Sequence, residues 1–169
     1  PMLAARDSRL RAIVLLAGTA ERGSRVLDYQ RRQSVERHTP KGAQRDSLMR
    51  VVSEGADSLI HSNPWLAWFA DYDPLPVLRD VRQGVLVLQG ATDRQVTAEQ
   101  AGRIEKALRA GGNRDVTRRV FADTNHLFVP DPDGSPEGYS SLDDPNVRRE
   151  VLGTMAQWLA ERIGPALSR

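Results

Sequence analysis

The chain has 169 residues, 40% of them hydrophobic and 27% charged, with a net charge of +2 and no cysteine. That length and composition suit one globular domain with a real core. The missing cysteines exclude disulfides and thiolate zinc sites without fixing a compartment, and the near balance of acidic and basic residues argues against a nucleic-acid partner.

The first residues, 2–7, read as the tail of a helix. The chain starts at Pro1 and enters that helical pattern at once, so it reads as cut from something longer, and the lack of a signal peptide carries no information. Ala12-Ile13-Val14-Leu15-Leu16-Ala17 is a continuous apolar run closed by Gly18. It is far too short for a membrane span, which needs about 20 residues. Runs of this kind suit strands buried on both faces of a parallel sheet. Val85-Leu86-Val87-Leu88, between Gly84 and Gly90, is a second run, and Val116–Phe121 is a third, weaker one.

Between the first two strands the pattern is helical, with Leu48, Val52 and Leu59 at near-helical spacing. Trp65, Trp68, Phe69 and Tyr72 cluster in residues 64–72, and Asp73-Pro74 and Leu75-Pro76 punctuate the return to the sheet. Residues 24–80 are therefore expected as a mainly helical cap insert, with residues 1–23 and 81–169 as the sheet core. After the second strand, Thr97 and Gln100 form a capping-box pattern. Ala101, Ile104 and Leu108 make an apolar stripe, and Gly111-Gly112 stop the helix. A last helix is expected from Asp144-Pro145 to Gly164-Pro165, with Val147, Val151, Met155, Trp158 or Leu159, and Ile163 on its apolar side. Strand, helix, strand, helix predicts an α/β fold with a parallel sheet and helices on both faces. The arginine pairs Arg31-Arg32, Arg118-Arg119 and Arg148-Arg149 have no aromatic platform beside them and read as solvated surface. Lys41 and Lys106 are the only lysines.

Two residues carry the chemistry. Asp93 lies just past the C-terminal end of the second strand, in Gly90-Ala91-Thr92-Asp93-Arg94-Gln95-Val96. His126 follows the third strand, in Ala122-Asp123-Thr124-Asn125-His126-Leu127-Phe128. Functional groups in open α/β sheets gather at that edge. A carboxylate beside an imidazole fixes its tautomer and stabilises its protonated form. Taken singly, Asp93 reads as a helix-capping residue and His126 as a loop histidine bonded to backbone. As a pair at neighbouring strand ends they read as an acid and a base, with a carboxylate oxygen expected about 2.6–3.2 Å from a ring nitrogen. His38 and His61 fall in the helical insert and read as surface or satisfied histidines. Asp131-Pro132-Asp133-Gly134 lacks the third acidic position and the terminal Glu of a calcium loop, and reads as a proline-rich turn. No metal or cofactor is called for.

The stretch YDPLPVLRDVRQGVLVLQGATDRQVTAEQAGRIEKAL, followed by FADTNHLF, resembles α/β-hydrolases, most closely the carboxylesterase, serine-aminopeptidase and dienelactone-hydrolase-like branch. The resemblance implies a triad in the chain order nucleophile, acid, histidine, with Asp93 as the acid and His126 as the base. The chain departs from the pattern at the nucleophile, because no Gly-x-Ser-x-Gly occurs. Gly138-Tyr139-Ser140-Ser141-Leu142 comes nearest, but it lacks the closing glycine and follows His126. The serine and the oxyanion-hole amides are therefore expected upstream of Pro1, and the chain reads as the C-terminal half of a serine hydrolase acting on a small ester or amide. On this reading it is inactive alone, and its partners are that missing half, its substrate, or further copies of itself. The rival reading is a non-catalytic module or one part of a two-chain assembly. Trp65, Trp68 and Phe69 read either as a wall of the acyl pocket or as packing of the insert.

Overall fold

The computed structural model describes residues 1–163. In chain order its elements are α1 (Met2–Arg6), β1 (Ala12–Leu16), α2 (Gly23–His38), α3 (Ala43–Ser62), α4 (Pro64–Asp71), α5 (Pro74–Asp80), β2 (Gly84–Gly90), α6 (Glu99–Ala110), β3 (Val116–Phe121), a 3₁₀ turn (Pro136–Ser141) and α7 (Arg149–Ile163). The chain divides into two units, Pro1–Ala20 with Pro74–Arg169, and Glu21–Asp73.

In the first unit the strands form one parallel sheet in the order β1-β2-β3. Ala12 pairs with Gly84 and Leu16 with Leu88; Val85 pairs with Val116 and Gly90 with Phe121. Every residue of β2 is buried, because it is paired on both sides and covered on both faces. Successive side chains alternate between those faces. Val85 and Val87 join Leu78, Ile104 and Leu108 under α5 and α6. Leu86 and Leu88 join Phe121, Phe128, Val151 and Trp158 under α7.

Four local expectations change. The run Ala12–Ala17 reads as a strand buried on both faces, yet β1 is only half-buried and Leu16 is 48% exposed. Among the described residues β1 pairs with β2 alone, so one side of the strand stays open. The Thr97–Gln100 capping box does not form: α6 starts at Glu99 without a side-chain cap. Gln100 is buried instead, and its Oε1 accepts the Ala20 N–H at 3.0 Å. The last helix begins at Arg149, not at Asp144-Pro145. The Asp144 carboxylate holds the Asn146 N–H in a local turn, and Val147, ahead of the helix, is 40% exposed. The Ile163 side chain and the Gly164-Pro165 stop lie outside the described residues. Finally, the run Val116–Phe121 reads as a strand of the same kind as the first two, yet only its ends are buried and Arg118, Arg119 and Val120 are exposed. Leu48 and Leu59 lie on a helix as expected, in α3, which buries none of its residues.

Helix α5 belongs to the first unit, where it packs on α6 and α1. Pro74 and Pro76 sit in its first turn, where a missing N–H costs nothing. The α6–α5 contact demands glycine at 111, since a Cβ there would stand 2.0 Å from the Arg79 carbonyl.

The second unit is α2, α3 and α4 packed on one another. Asn63 caps α4, its Oδ1 accepting the N–H groups of Trp65 and Leu66 at 3.0 and 3.1 Å, with Pro64 at the first helical position. No helix among the described residues is long and apolar enough to cross a membrane.

Candidate functional site

Because β2 and β3 are parallel neighbours, their C-terminal ends open on the same edge of the sheet. The two following loops are stitched together there. The Ala91 N–H donates to the Phe121 carbonyl at 2.8 Å and the Thr92 N–H to the Thr124 carbonyl at 3.1 Å. Gly90 permits the approach, since a Cβ would lie 2.2 Å from the Thr124 oxygen and 2.6 Å from that of Asn125. The loop after β3 then turns sharply, with Asp123 at φ 44° and Phe128 at φ 60° on either side of His126. Such left-handed conformations are uncommon outside glycine and persist only where the surroundings hold them.

Asp93 and His126 meet across these loops, Nδ1 of the ring lying 2.8 Å from Oδ2 of the carboxylate. The Asp93 side chain is fully buried and that of His126 is 28% exposed. Oδ1 of Asp93 accepts the N–H groups of Gln95 and Val96 at 2.8 and 2.9 Å. Oδ2 accepts Nε2 of Gln89 at 2.7 Å as well as the imidazole. Four nitrogens thus converge on the buried Asp93 carboxylate. A carboxylate oxygen facing Nδ1 favours the ring tautomer that places its proton on that nitrogen.

Residues to which the sequence assigns no site role surround the pair, among them Arg148, which reads as solvated surface but is bonded to the loop ahead of His126. Gln89 is wholly buried; its Nε2 also donates to the Val96 carbonyl, and its Oε1 has no partner among the described residues. A polar residue inside an otherwise apolar buried strand was the available signal. The Tyr139 hydroxyl accepts from Gln95 Nε2 at 3.2 Å and from the His126 backbone N–H. Partial burial pushes its pKa up and the negative charge of Asp93 adds to this, while the donated hydrogen bonds oppose it. Tyr139 sits in the 3₁₀ turn 136–141, which is no strand-to-helix elbow. The Arg148 guanidinium donates to the Ala122 carbonyl at 2.6 Å and to Thr124 Oγ1 at 3.0 Å, clamping the loop ahead of His126. Only tertiary structure reveals that role.

The remaining candidates lie in the second unit. His38 and His61 each bond a carbonyl four residues earlier in their own helix, Ser34 and Asp57. Trp65 and Trp68 on α4 are 63% and 49% exposed. Trp65 stacks on Phe69 with centroids 5.6 Å apart, and Trp68 stacks on Tyr72 at 5.2 Å. Among the described residues no cluster of three or more His, Cys, Asp or Glu could hold a metal ion.

A parallel sheet covered by helices on both faces is an arrangement shared with the α/β-hydrolase fold. Among solved structures, the chain is similar to esterase Pf2001 of Pyrococcus furiosus in two crystal forms. One gives 12% identity and a TM-score of 0.54 over 96% of this chain and 48% of that one. The other gives 11% and 0.53 over 96% and 49%. A putative dienelactone hydrolase of Klebsiella pneumoniae overlaps 94% of this chain and 44% of its own, with 15% identity and a TM-score of 0.49. The chain thus spans about half the length of the solved structures it resembles. No protein-family model and no curated protein matches it.

Proposed function

We propose that this chain supplies the acid and the base of a serine hydrolase acting on ester or amide bonds, with the nucleophile contributed by a segment upstream of residue 1. The observation that carries the reading is the 2.8 Å contact between Asp93 and His126. On this reading a serine hydroxyl attacks the substrate carbonyl carbon while its proton passes to Nε2 of His126. The imidazolium, stabilised by Asp93, returns that proton to the leaving alcohol or amine. A water molecule activated by His126 then releases the acyl group. Half-length coverage and the absence of a Gly-x-Ser-x-Gly elbow support assigning the serine and the oxyanion-hole amides to another segment.

The test is hydrolysis of an aryl acetate. The 169-residue chain alone is expected at the level of a matched blank, since losing even one oxyanion donor costs about 10²–10³ in rate. Adding an elbow-bearing upstream segment, fused or in trans, should restore turnover, and His126→Ala should abolish it again. Robust hydrolysis by the chain alone that survives His126→Ala would overturn the assignment. An upstream segment that restores nothing would favour a non-catalytic module.

A further inference from the structure

We propose that Asp131 is a positioning residue that couples the loop carrying Asp93 to the loop carrying His126, an inference that rests on the catalytic reading of that pair. The turn Asp131-Pro132-Asp133-Gly134 reads from sequence as a plain proline-rich turn, yet Asp131 is 5% exposed. A turn aspartate needs only one carboxylate oxygen for its turn, and here Oδ1 accepts the N–H groups of Asp133 and Gly134 at 3.1 and 2.9 Å. The rest of the residue reaches outward. Oδ2 accepts Nδ2 of Asn125 at 3.1 Å. The backbone carbonyl accepts the Thr92 hydroxyl, and the backbone N–H donates to the Asp123 carbonyl at 2.9 Å.

Two of those partners are the residues immediately before the proposed acid and base. Thr92 precedes Asp93, and Asn125 precedes His126. Asn125 is wholly buried, and its Oδ1 accepts the N–H groups of Leu127 and Val129 at 2.9 and 3.3 Å, so it sets the backbone on the far side of His126 too. On the other loop the turn grips both neighbours of Asp93. Gly134, at φ 73°, lies so close that a Cβ would stand 1.7 Å from the Thr92 oxygen. The Arg94 guanidinium donates to the Asp133 carbonyl and, at 3.2 Å, to its carboxylate. A catalytic pair must hold its geometry to within about 0.5 Å, and two loops bonded to one buried residue share a single set of constraints. Loosening Asp131 should therefore disturb the distant loop as well as its own.

The experiment is amide hydrogen exchange and histidine nitrogen NMR on the 169-residue chain, comparing Asp131→Asn, the reciprocal exchange Asn125→Asp with Asp131→Asn, and Thr92→Val. Asp131→Asn sets two NH₂ groups against each other at the Asn125 contact. Exchange at Leu127 and Val129, and also at Gln95 and Val96, is expected to rise at least about tenfold, which corresponds to a local opening easier by about 1.4 kcal/mol. The Nδ1-bound proton of His126 should broaden or vanish. The reciprocal exchange gives every donor an acceptor again and should restore protection and the proton signal. Faster exchange confined to residues 125–134, with Gln95 and Val96 unchanged, would overturn the coupling, as would failure of the reciprocal exchange to rescue. If Asp131→Asn does not fold, Thr92→Val decides, because it removes only one hydroxyl from the acid loop. Faster exchange at Leu127 and Val129 supports the proposal, and no change there overturns it. None of these readouts uses turnover, so coupling without esterase activity in the completed enzyme would sink the catalytic reading alone.

Discussion

The carboxylate oxygen of Asp93 that meets His126 is shared: Oδ2 accepts the imidazole Nδ1–H at 2.8 Å and the Gln89 amide at 2.7 Å. The other oxygen is fixed by the backbone of residues 95 and 96, so the carboxylate cannot rotate without breaking several bonds. Holding the amide this way leaves Gln89 Oε1 a buried acceptor with no partner among the described residues. Such a group costs about 1–3 kcal/mol, and the donors it secures for a buried carboxylate explain why the arrangement is tolerated.

Asp93→Asn should leave the fold intact and invert the histidine tautomer. An amide NH₂ facing Nδ1 makes that nitrogen an acceptor and moves the proton to Nε2, the nitrogen that must take the serine proton. In the completed enzyme kcat should fall by about 10⁴-fold. Nitrogen chemical shifts of His126 check the tautomer directly, and an unchanged tautomer would contradict the geometry.

Gly90→Ala should destabilise the protein through steric conflict with the Thr124 and Asn125 carbonyls, which would lie 2.2 and 2.6 Å from the new methyl. Neither neighbour is a flexible side chain, so backbone must move. We expect a loss of about 1–3 kcal/mol in urea unfolding, together with a weakened Asp93–His126 contact. A variant as stable as the parent would show that the loops do not approach so closely.

Leu108→Ala should cost about 2–5 kcal/mol, because Leu108 is fully buried between α6 and the sheet. Leu59→Ala should lie within about 0.5 kcal/mol of the parent, since Leu59 is 58% exposed. Urea midpoints at constant slope separate the two cases, and a costly Leu59→Ala would mean that α3 is covered in solution.

Glu105 links stability to acid. A hydrogen bond from Arg118 at 2.8 Å, then the Arg109 guanidinium at 2.9 Å, hold its pKa below the usual carboxylate value, with partial burial opposing them. A folded pKa below the unfolded one adds stability that is present above about pH 4.3, the unfolded value, and lost as pH falls through the folded one. Glu105→Gln should therefore be less stable than the parent at neutral pH, and the gap should close on acidification. A gap that stays constant from neutral to acid pH would refute the assignment.

The sequence by itself determined the elements whose signal is local. Three runs became the parallel strands, but only Val85–Leu88 lies in a strand buried along its whole length, as continuous apolarity predicts; β1 is half-buried and β3 is exposed at Arg118, Arg119 and Val120. The order of strands and helices also placed Asp93 and His126 on one sheet edge. Tertiary structure decided the rest. Gln100 and Asp144 carry helix-start signals, yet Gln100 is drawn to the Ala20 amide and Asp144 holds only its own short turn. The half-buried β1 follows from its place in the sheet, which no window of sequence reports. Gln89 left a sequence signal as the polar residue in an apolar strand, but the bonds of Tyr139, Arg148, Asn125 and Asp131 were illegible for the same reason. Each side chain finds its partner across a loop or a strand, and a buried polar group is satisfied by whatever the completed fold brings within reach.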